Sequence, residues 1–93
     1  MHIKVYGRVQ GVGYRYFVEK HAVQLGISGW VRNCSDGSVE IMAEGDPQNL
    51  DVFIDWCKKG PLFGSTSRIV PVARSEYAAP PIEDGVFRVL ASV

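Results

Sequence analysis

A glycine-spaced turn at residues 7–15 (GRVQGVGYR) lies between a stretch that alternates like a β-strand and one with helical spacing. Glycines at positions 11 and 13 permit positive φ, so several backbone N–H groups can point toward a common centre. The following helix adds its unpaired N–H groups and the positive end of its dipole. Arg15 falls in the first helical turn, where its side chain should lean back over the loop. The sequence therefore predicts a seat for a phosphoryl group.

The same turn does not match the common nucleotide-binding motifs. It fits neither G-x-G-x-x-G nor the Walker pattern, which needs Lys-Ser or Lys-Thr after the last glycine. Neither a dinucleotide nor an ATP site is implied. On spacing alone, a second interpretation stays open, in which Arg15 is a surface residue paired to Glu19 one helical turn on.

The first half of the chain has clear periodicities. Alternation predicts a strand over residues 3–9, with Ile3, Val5 and Val9 on one face. Helical spacing follows over residues 14–25, and Gly26 ends it. Two further strands, at 28–34 and 38–44, flank Ser35-Asp36-Gly37, a strong hairpin signal. In the second of these strands we expect Val39, Ile41 and Ala43 to face the core, and Glu40, Met42 and Glu44 to face outward.

The second half predicts a helix and two more strands. Asp46 is a candidate N-cap, Pro47 suits the first helical position, and Gly60 follows the end of the helix near Lys59. A loop at 61–67 leads to a strand at 68–77, whose Pro71 favours an edge position or a bulge. A long connection at 78–85 precedes a short strand at 86–90.

This order predicts an α+β fold in one domain spanning residues 1–93. Strand, helix, strand, strand, helix and strand form a ferredoxin-like βαββαβ sandwich, with a largely antiparallel sheet, two helices on one face and a short extra C-terminal strand. The glycine turn then lies at one end of the first strand. Because this architecture hosts many activities, the fold alone assigns no function.

The composition limits the classes of partner that we expect for this protein. Ten Lys plus Arg balance ten Asp plus Glu in 93 residues, whereas a protein that grips a nucleic-acid backbone normally has a basic excess. No apolar run reaches the length of a membrane span and the amino terminus lacks the core of a secretion signal, so we expect a cytoplasmic protein without membrane or nucleic-acid partners. The two cysteines have no C-x-x-C spacing and no histidine at ligand spacing, which argues against a structural zinc site.

Two segments resemble the signatures of the acylphosphatase family. They are residues 9–15 (VQGVGYR) and residues 29–33 (GWVRN) followed by 36–40 (DGSVE), and the similarity extends over nearly the whole chain. The resemblance implies hydrolysis of the mixed anhydride of small acyl phosphates to a carboxylate and inorganic phosphate, without metal or other cofactor. Inorganic phosphate would be product and competitive inhibitor, and the protein a monomer.

The resemblance also assigns residue roles. Arg15 would bind and neutralise the phosphoryl group, and Asn33 would orient the attacking water. The phosphate-binding residues would be Gln10, Gly11, Val12, Gly13, Tyr14 and Arg15. From the residues alone, Asn33 could instead satisfy backbone groups of the following turn. Cys34 follows Asn33 where relatives often have a hydroxyl or aliphatic residue, but strand alternation should point its thiol away from the Asn33 side chain.

Three other hypotheses stay open at this point. His21 could act in catalysis, although its position about two helical turns from the loop favours a packed histidine. An RNA-binding domain of the RRM type has the same element order, and Tyr6 and Trp30 offer a partial stacking surface, yet the strand at 38–44 has no aromatic residue and two acids. A non-catalytic anion-sensing module would use the loop and Arg15 without needing Asn33.

Overall fold

The fold is a five-stranded sheet packed against two helices, in a computed structural model that describes residues 1–62 and 64–93. The elements in chain order are β1 (His2–Arg8), α1 (Tyr14–Gln24), β2 (Ser28–Asn33), β3 (Val39–Glu44), α2 (Pro47–Lys59), β4 (Ser65–Pro71) and β5 (Phe87–Val89). The sheet order is β4-β1-β3-β2-β5, antiparallel except for the parallel pair β2 and β5. The ferredoxin-like prediction with a short C-terminal strand is confirmed. Neither helix in these residues is long and apolar enough to cross a membrane.

The predicted local signals operate as expected in both helices and in the hairpin. Asp46 caps α2 by accepting a hydrogen bond from the Gln48 N–H at 2.9 Å. Gly26 follows α1 with φ 66°. In the β2–β3 turn, the Asp36 carboxylate accepts from the Ser38 N–H at 3.0 Å, and Gly37 has φ 88°. These contacts fix the end of β2, where Asn33 lies.

The core lies between one sheet face and the two helices. Val5, Val31 and Ile41 are fully buried on that face, opposite Val18 of α1 and Phe53 of α2. Because all three strand residues point to the same side, both helices cover a single face. Burying this apolar face against the helices is the main stabilising contribution to the arrangement.

The other sheet face is covered, so Glu40 faces away from the core as predicted but is buried. Its carboxylate has no exposed surface, because residues 72–86 cross this face, where Ser75, Ala78 and Pro80 accept hydrogen bonds from Arg32 and Trp30. It accepts hydrogen bonds from Arg32 Nε at 2.9 Å and from His2 Nε2 at 2.6 Å. Arg32 in turn donates to the Ala78 carbonyl at 2.9 Å. A buried carboxylate is tolerated here because two charged or polar donors satisfy it.

The crossing segment also bears on the RNA-binding alternative. Trp30 is 2% exposed, and its indole N–H donates to the Pro80 carbonyl at 2.8 Å. Tyr6 lies under the guanidinium of Arg68, 4.3 Å from its ring centroid. Neither ring is displayed on an open sheet surface, as base stacking by an RRM requires.

The fourth strand differs from its prediction. It runs from Ser65 to Pro71, so the predicted strand at 68–77 was wrong at both ends. Ser65–Ser67 lack apolar alternation, but Ser65 and Thr66 pair through their backbone with Arg8 and Gly7 at the end of β1. Pro71 stands at the end of an edge strand, where a missing N–H is tolerated. The predicted loop at 61–67 therefore holds only in its first part, and Phe63 within it lies outside the described residues.

Candidate active site

The β1–α1 loop has the backbone conformation that its glycines predict. Gly11 and Gly13 have φ 73° and 78°, in the left-handed region that favours glycine. Gly13 is the N-cap of α1, and no side chain caps the helix. Among the described residues, the N–H groups of positions 11–16 find no hydrogen-bond acceptor. The loop and helix end thus present a set of unpaired donors, an arrangement that favours an anion.

Arg15 lies at this space, as predicted. It lines a cavity of about 170 Å³, here named the loop cavity, together with Gly11, Gly13 and Asn33. Its Nη1 donates to the Leu90 carbonyl at 3.2 Å, which leaves most of its five N–H donors free. In the described part of the chain no carboxylate lies within 4 Å of the guanidinium, so the pairing with Glu19 is not formed.

Asn33 enters the same cavity from β2. It is the last residue of the strand, and its side-chain Oδ1 is buried without a hydrogen-bond partner among the described residues. An unpaired buried acceptor costs free energy unless a water or ligand donates to it. The turn that follows is satisfied by Asp36 and Gln10, so Asn33 does not serve the turn backbone.

Two side chains of the loop form hydrogen bonds to the scaffold. The Gln10 amide Nε2 donates to the carbonyls of Cys34 and Ser38, at 2.8 Å each. The Tyr14 hydroxyl donates to the Cys57 carbonyl of α2 at 2.7 Å, and burial, with Cys57 beside it, raises the pKa of this phenol. The loop is therefore held to the β2–β3 turn on one side and to α2 on the other.

The structure brings together four of the six predicted phosphate-binding residues. Gly11, Gly13, Tyr14 and Arg15 line the loop cavity, whereas the side chains of Gln10 and Val12 do not. Val12 packs against the core. Any phosphate contact of these two positions would come from their backbone.

Cys34 and His21 are both used in packing. The Cys34 Sγ lies 3.9 Å from Glu40 Oε1 under the crossing segment, and burial raises the pKa of its thiol. The His21 ring stacks on Trp56 with centroids 4.0 Å apart, and burial, together with nearby Lys20, lowers its pKa. Neither residue lines the loop cavity. The geometry supports the packed histidine that the sequence favoured, and the expectation that the Cys34 thiol points away from the Asn33 side chain.

Three residues that sequence reasoning missed belong to the surroundings of the cavity. Val9 and Tyr16 line it directly, and Leu90 holds Arg15 through its carbonyl. Tyr16 directly follows Arg15, and this adjacency was the only available signal. No three His, Cys, Asp or Glu side chains in residues 1–62 and 64–93 are grouped so that they could hold a metal ion.

Comparison with known proteins shows the family of this chain. The acylphosphatase family model matches residues 1–88. The chain belongs to the acylphosphatase family. The resemblance read from the sequence is thereby confirmed, and the protein is an enzyme that hydrolyses acyl phosphates.

Individual relatives show how far the similarity extends. The acylphosphatase of Thermococcus kodakarensis is 46% identical over 68 residues, covering 73% of this chain and 75% of the relative. That of Aeromonas salmonicida is 43% identical over 86 residues, covering 91% and 89%. In one of the relatives compared, the aligned segment covers only 50% of the relative's own length. The crystal structure of acylphosphatase from Bacillus subtilis superposes with a TM-score of 0.80 at 39% identity, covering 96% of this chain and 94% of that one.

Proposed function

We propose that the protein cleaves the carboxyl–phosphate anhydride of small acyl phosphates by in-line attack of a water held by Asn33, without a metal ion. The observation that carries this proposal is the loop cavity itself. It places unpaired backbone N–H groups and the Arg15 guanidinium next to the unpartnered Oδ1 of Asn33. A phosphoryl group and a water can occupy this space together, each with donors or acceptors of the required kind.

The loop and Arg15 supply the electrostatic part of the reaction. In phosphoryl transfer, negative charge is spread over the equatorial oxygens of the transferred group, and catalysis is mostly positioning and charge stabilisation. Backbone N–H groups of residues 11–16 and the planar fork of Arg15 match three such oxygens. The carboxylate is a good leaving group, so no general acid is needed.

Asn33 supplies the position of the nucleophile. Its Oδ1 accepts a hydrogen bond from water, which directs an oxygen lone pair toward phosphorus. The described residues around the cavity include no carboxylate, imidazole or thiol, and the Tyr14 hydroxyl is engaged with Cys57. An oxygen of the substrate's own phosphoryl group is the base in this mechanism.

Replacing Asn33 tests the mechanism. A group that acts on the water lowers turnover without weakening phosphate binding. We expect Asn33→Ala to reduce kcat by ~10²-fold or more, the scale of losing one positioned hydrogen-bonding group, with the inhibition constant of inorganic phosphate almost unchanged. Asn33→Asp should bind phosphate more weakly than Asn33→Ala because it adds negative charge. The exposed Asn49→Ala on α2 is the matched control.

The opposite pattern would overturn the assignment. If Asn33→Ala binds phosphate many-fold more weakly and keeps its turnover at saturating substrate, Asn33 is a binding residue.

Two further measurements test the rest of the mechanism. Inorganic phosphate should inhibit competitively, because product and substrate share the loop. Activity should survive exhaustive chelation, and a rate that returns only when magnesium or zinc is added would refute the metal-independent mechanism.

A further inference from the structure

A second depression adjoins the loop cavity and has no part in the mechanism above. It is a groove of about 510 Å³ between α1 and β5, lined by Tyr16, Glu19 and residues 86–90, and is here named the α1–β5 groove. Tyr16 lines both the groove and the loop cavity. Leu90 is a second connection between the groove and the loop cavity, because its carbonyl accepts a hydrogen bond from Arg15 and the residue also lines the groove. The groove therefore begins where the phosphoryl seat ends.

An acyl phosphate bound at the loop needs space outside the loop cavity. The cavity is about 170 Å³ and is lined by the donors that bind the phosphoryl group, so the carboxyl-linked substituent has to project beyond it. Tyr16 stands at this exit with 64% of its surface exposed. Because helical side chains lean toward the N-terminus, its ring tilts toward the loop.

The exposed lining of the groove is about half polar and half apolar, and its apolar half includes an aromatic ring. Besides the Tyr16 ring it presents Val86, Val89 and Leu90, all half-buried. Its two charged residues, Glu19 and Arg88, have opposite signs, and Arg88 is paired with Glu83 at 2.9 Å. Neither sign of charge dominates, so the surface selects by shape and aromatic contact. Ring pairs at interfaces are stabilised beyond the apolar area that they bury.

We propose that the α1–β5 groove binds the acyl group of the substrate and that Tyr16 makes the enzyme select aromatic acyl phosphates over small aliphatic ones. This inference rests on the proposed function. The Tyr16 ring contacts the acyl substituent, while only the backbone N–H of this residue belongs to the phosphoryl seat. Its removal therefore changes the choice between substrates and leaves the phosphate seat intact.

The test compares two substrates across four proteins. Values of kcat/KM for benzoyl phosphate and acetyl phosphate are measured for the wild type, Tyr16→Ala, Tyr16→Phe and Val23→Ala. Val23 is a matched control because it lies on the same helix and is 63% exposed. Intrinsic reactivity cancels when the benzoyl-to-acetyl ratio is compared between proteins. We expect Tyr16→Ala to lower this ratio about tenfold, equivalent to about 1.4 kcal/mol, while Tyr16→Phe and Val23→Ala keep it.

The outcomes separate this inference from the mechanism on which it rests. The inhibition constant of inorganic phosphate should change by less than about twofold in Tyr16→Ala, because this variant keeps the backbone N–H and removes only a side chain outside the phosphate seat. If the wild type hydrolyses both substrates and Tyr16→Ala keeps the same ratio, the groove assignment is wrong and the proposed function stands. If both substrates lose rate equally in Tyr16→Ala, Tyr16 belongs to the phosphate seat and the assignment is again wrong. If the wild type hydrolyses neither substrate, the proposed function fails, and this inference fails with it.

Discussion

Gln10→Ala should cost stability and activity together, because the Gln10 amide joins the phosphate loop to the turn after Asn33. Its Nε2 makes two hydrogen bonds of 2.8 Å, to the carbonyls of Cys34 and Ser38. A neutral hydrogen bond contributes about 0.5–1.5 kcal/mol net, so losing both costs about 1–3 kcal/mol. Both carbonyls keep a second donor, from the Gly37 and Cys34 N–H groups, so neither is left unpaired. The expected loss of stability is therefore in the lower half of that range, about 1–2 kcal/mol.

Chemical denaturation and thermal melting measure this loss. For a domain of 60–100 residues, 1 kcal/mol corresponds to a change in Tm of about 4–8 °C, so we expect a drop of about 4–16 °C. The value of kcat/KM should fall as well, because the loop donors lose their register with the Asn33 side chain. The exposed Gln48→Ala on α2 is the matched control and should leave both quantities unchanged.

Gln10→Glu separates donation from side-chain size. An ionised carboxylate has no proton to offer two carbonyl oxygens, so this variant should be less stable at pH 7 than Gln10→Ala. Two nearby acceptors and partial burial raise the pKa of the introduced acid in the folded state. Its stability deficit is then smallest below about pH 4.3, the unfolded value, and grows as pH rises through the folded pKa. The reasoning is refuted if the free energy of unfolding of Gln10→Ala lies within about 0.3 kcal/mol of the wild-type value, which is the error of such comparisons.

Three further predictions concern Arg15, Cys34 and Glu40. Arg15→Lys should lower kcat/KM by roughly tenfold or more, because a point charge cannot replace a planar fork whose charged hydrogen bonds are each worth ~1.5–3 kcal/mol; near-normal turnover would exclude bidentate binding. Cys34→Ser should stay active, and an inactive folded variant would give the thiol a chemical role. Glu40→Gln should lose about 3–5 kcal/mol in urea unfolding, since the buried Arg32 charge loses its partner. Burial alone would raise the pKa of Glu40, but hydrogen bonds from His2 and Arg32 hold it low, so wild-type stability should fall as pH drops below 4.5.

Local signals in the sequence were enough for most of the fold. Alternation located β1, the Asp36-Gly37 hairpin signal located β2 and β3, and the Asp46 cap with Pro47 and Gly60 bounded α2. These features act over a few residues and can be read without knowing the rest of the structure. The β4 bounds could not be read in this way, because Ser65 becomes a strand residue only through backbone pairing with Arg8. The burial of Glu40 likewise depends on a segment that begins about 30 residues later in the chain.

The candidate site was predictable only in part, for the same reason. Positive φ at Gly11 and Gly13 and the location of Arg15 follow from local geometry. Asn33 could be placed beside them only through the family resemblance, since an asparagine before a turn has a simpler explanation. The contact of Arg15 with Leu90 spans 75 positions in sequence, and no local pattern encodes it.

In the proposed mechanism phosphate binds through the loop backbone, and the side chains of the loop explain why such a site would still depend on residue identity. Unpaired N–H groups gain from an anion only if they already point at it, because ordering a flexible loop on binding would consume part of the interaction. Gln10 and Tyr14 supply that order by anchoring the loop to the β2–β3 turn and to α2, while glycines at 11 and 13 permit the required backbone. Side chains directed away from the ligand are thus the reason that the donors directed toward it are pre-organised. The cost of leaving those donors unpaired is small, because glycines 11 and 13 are exposed and water can reach the loop in the absence of phosphate.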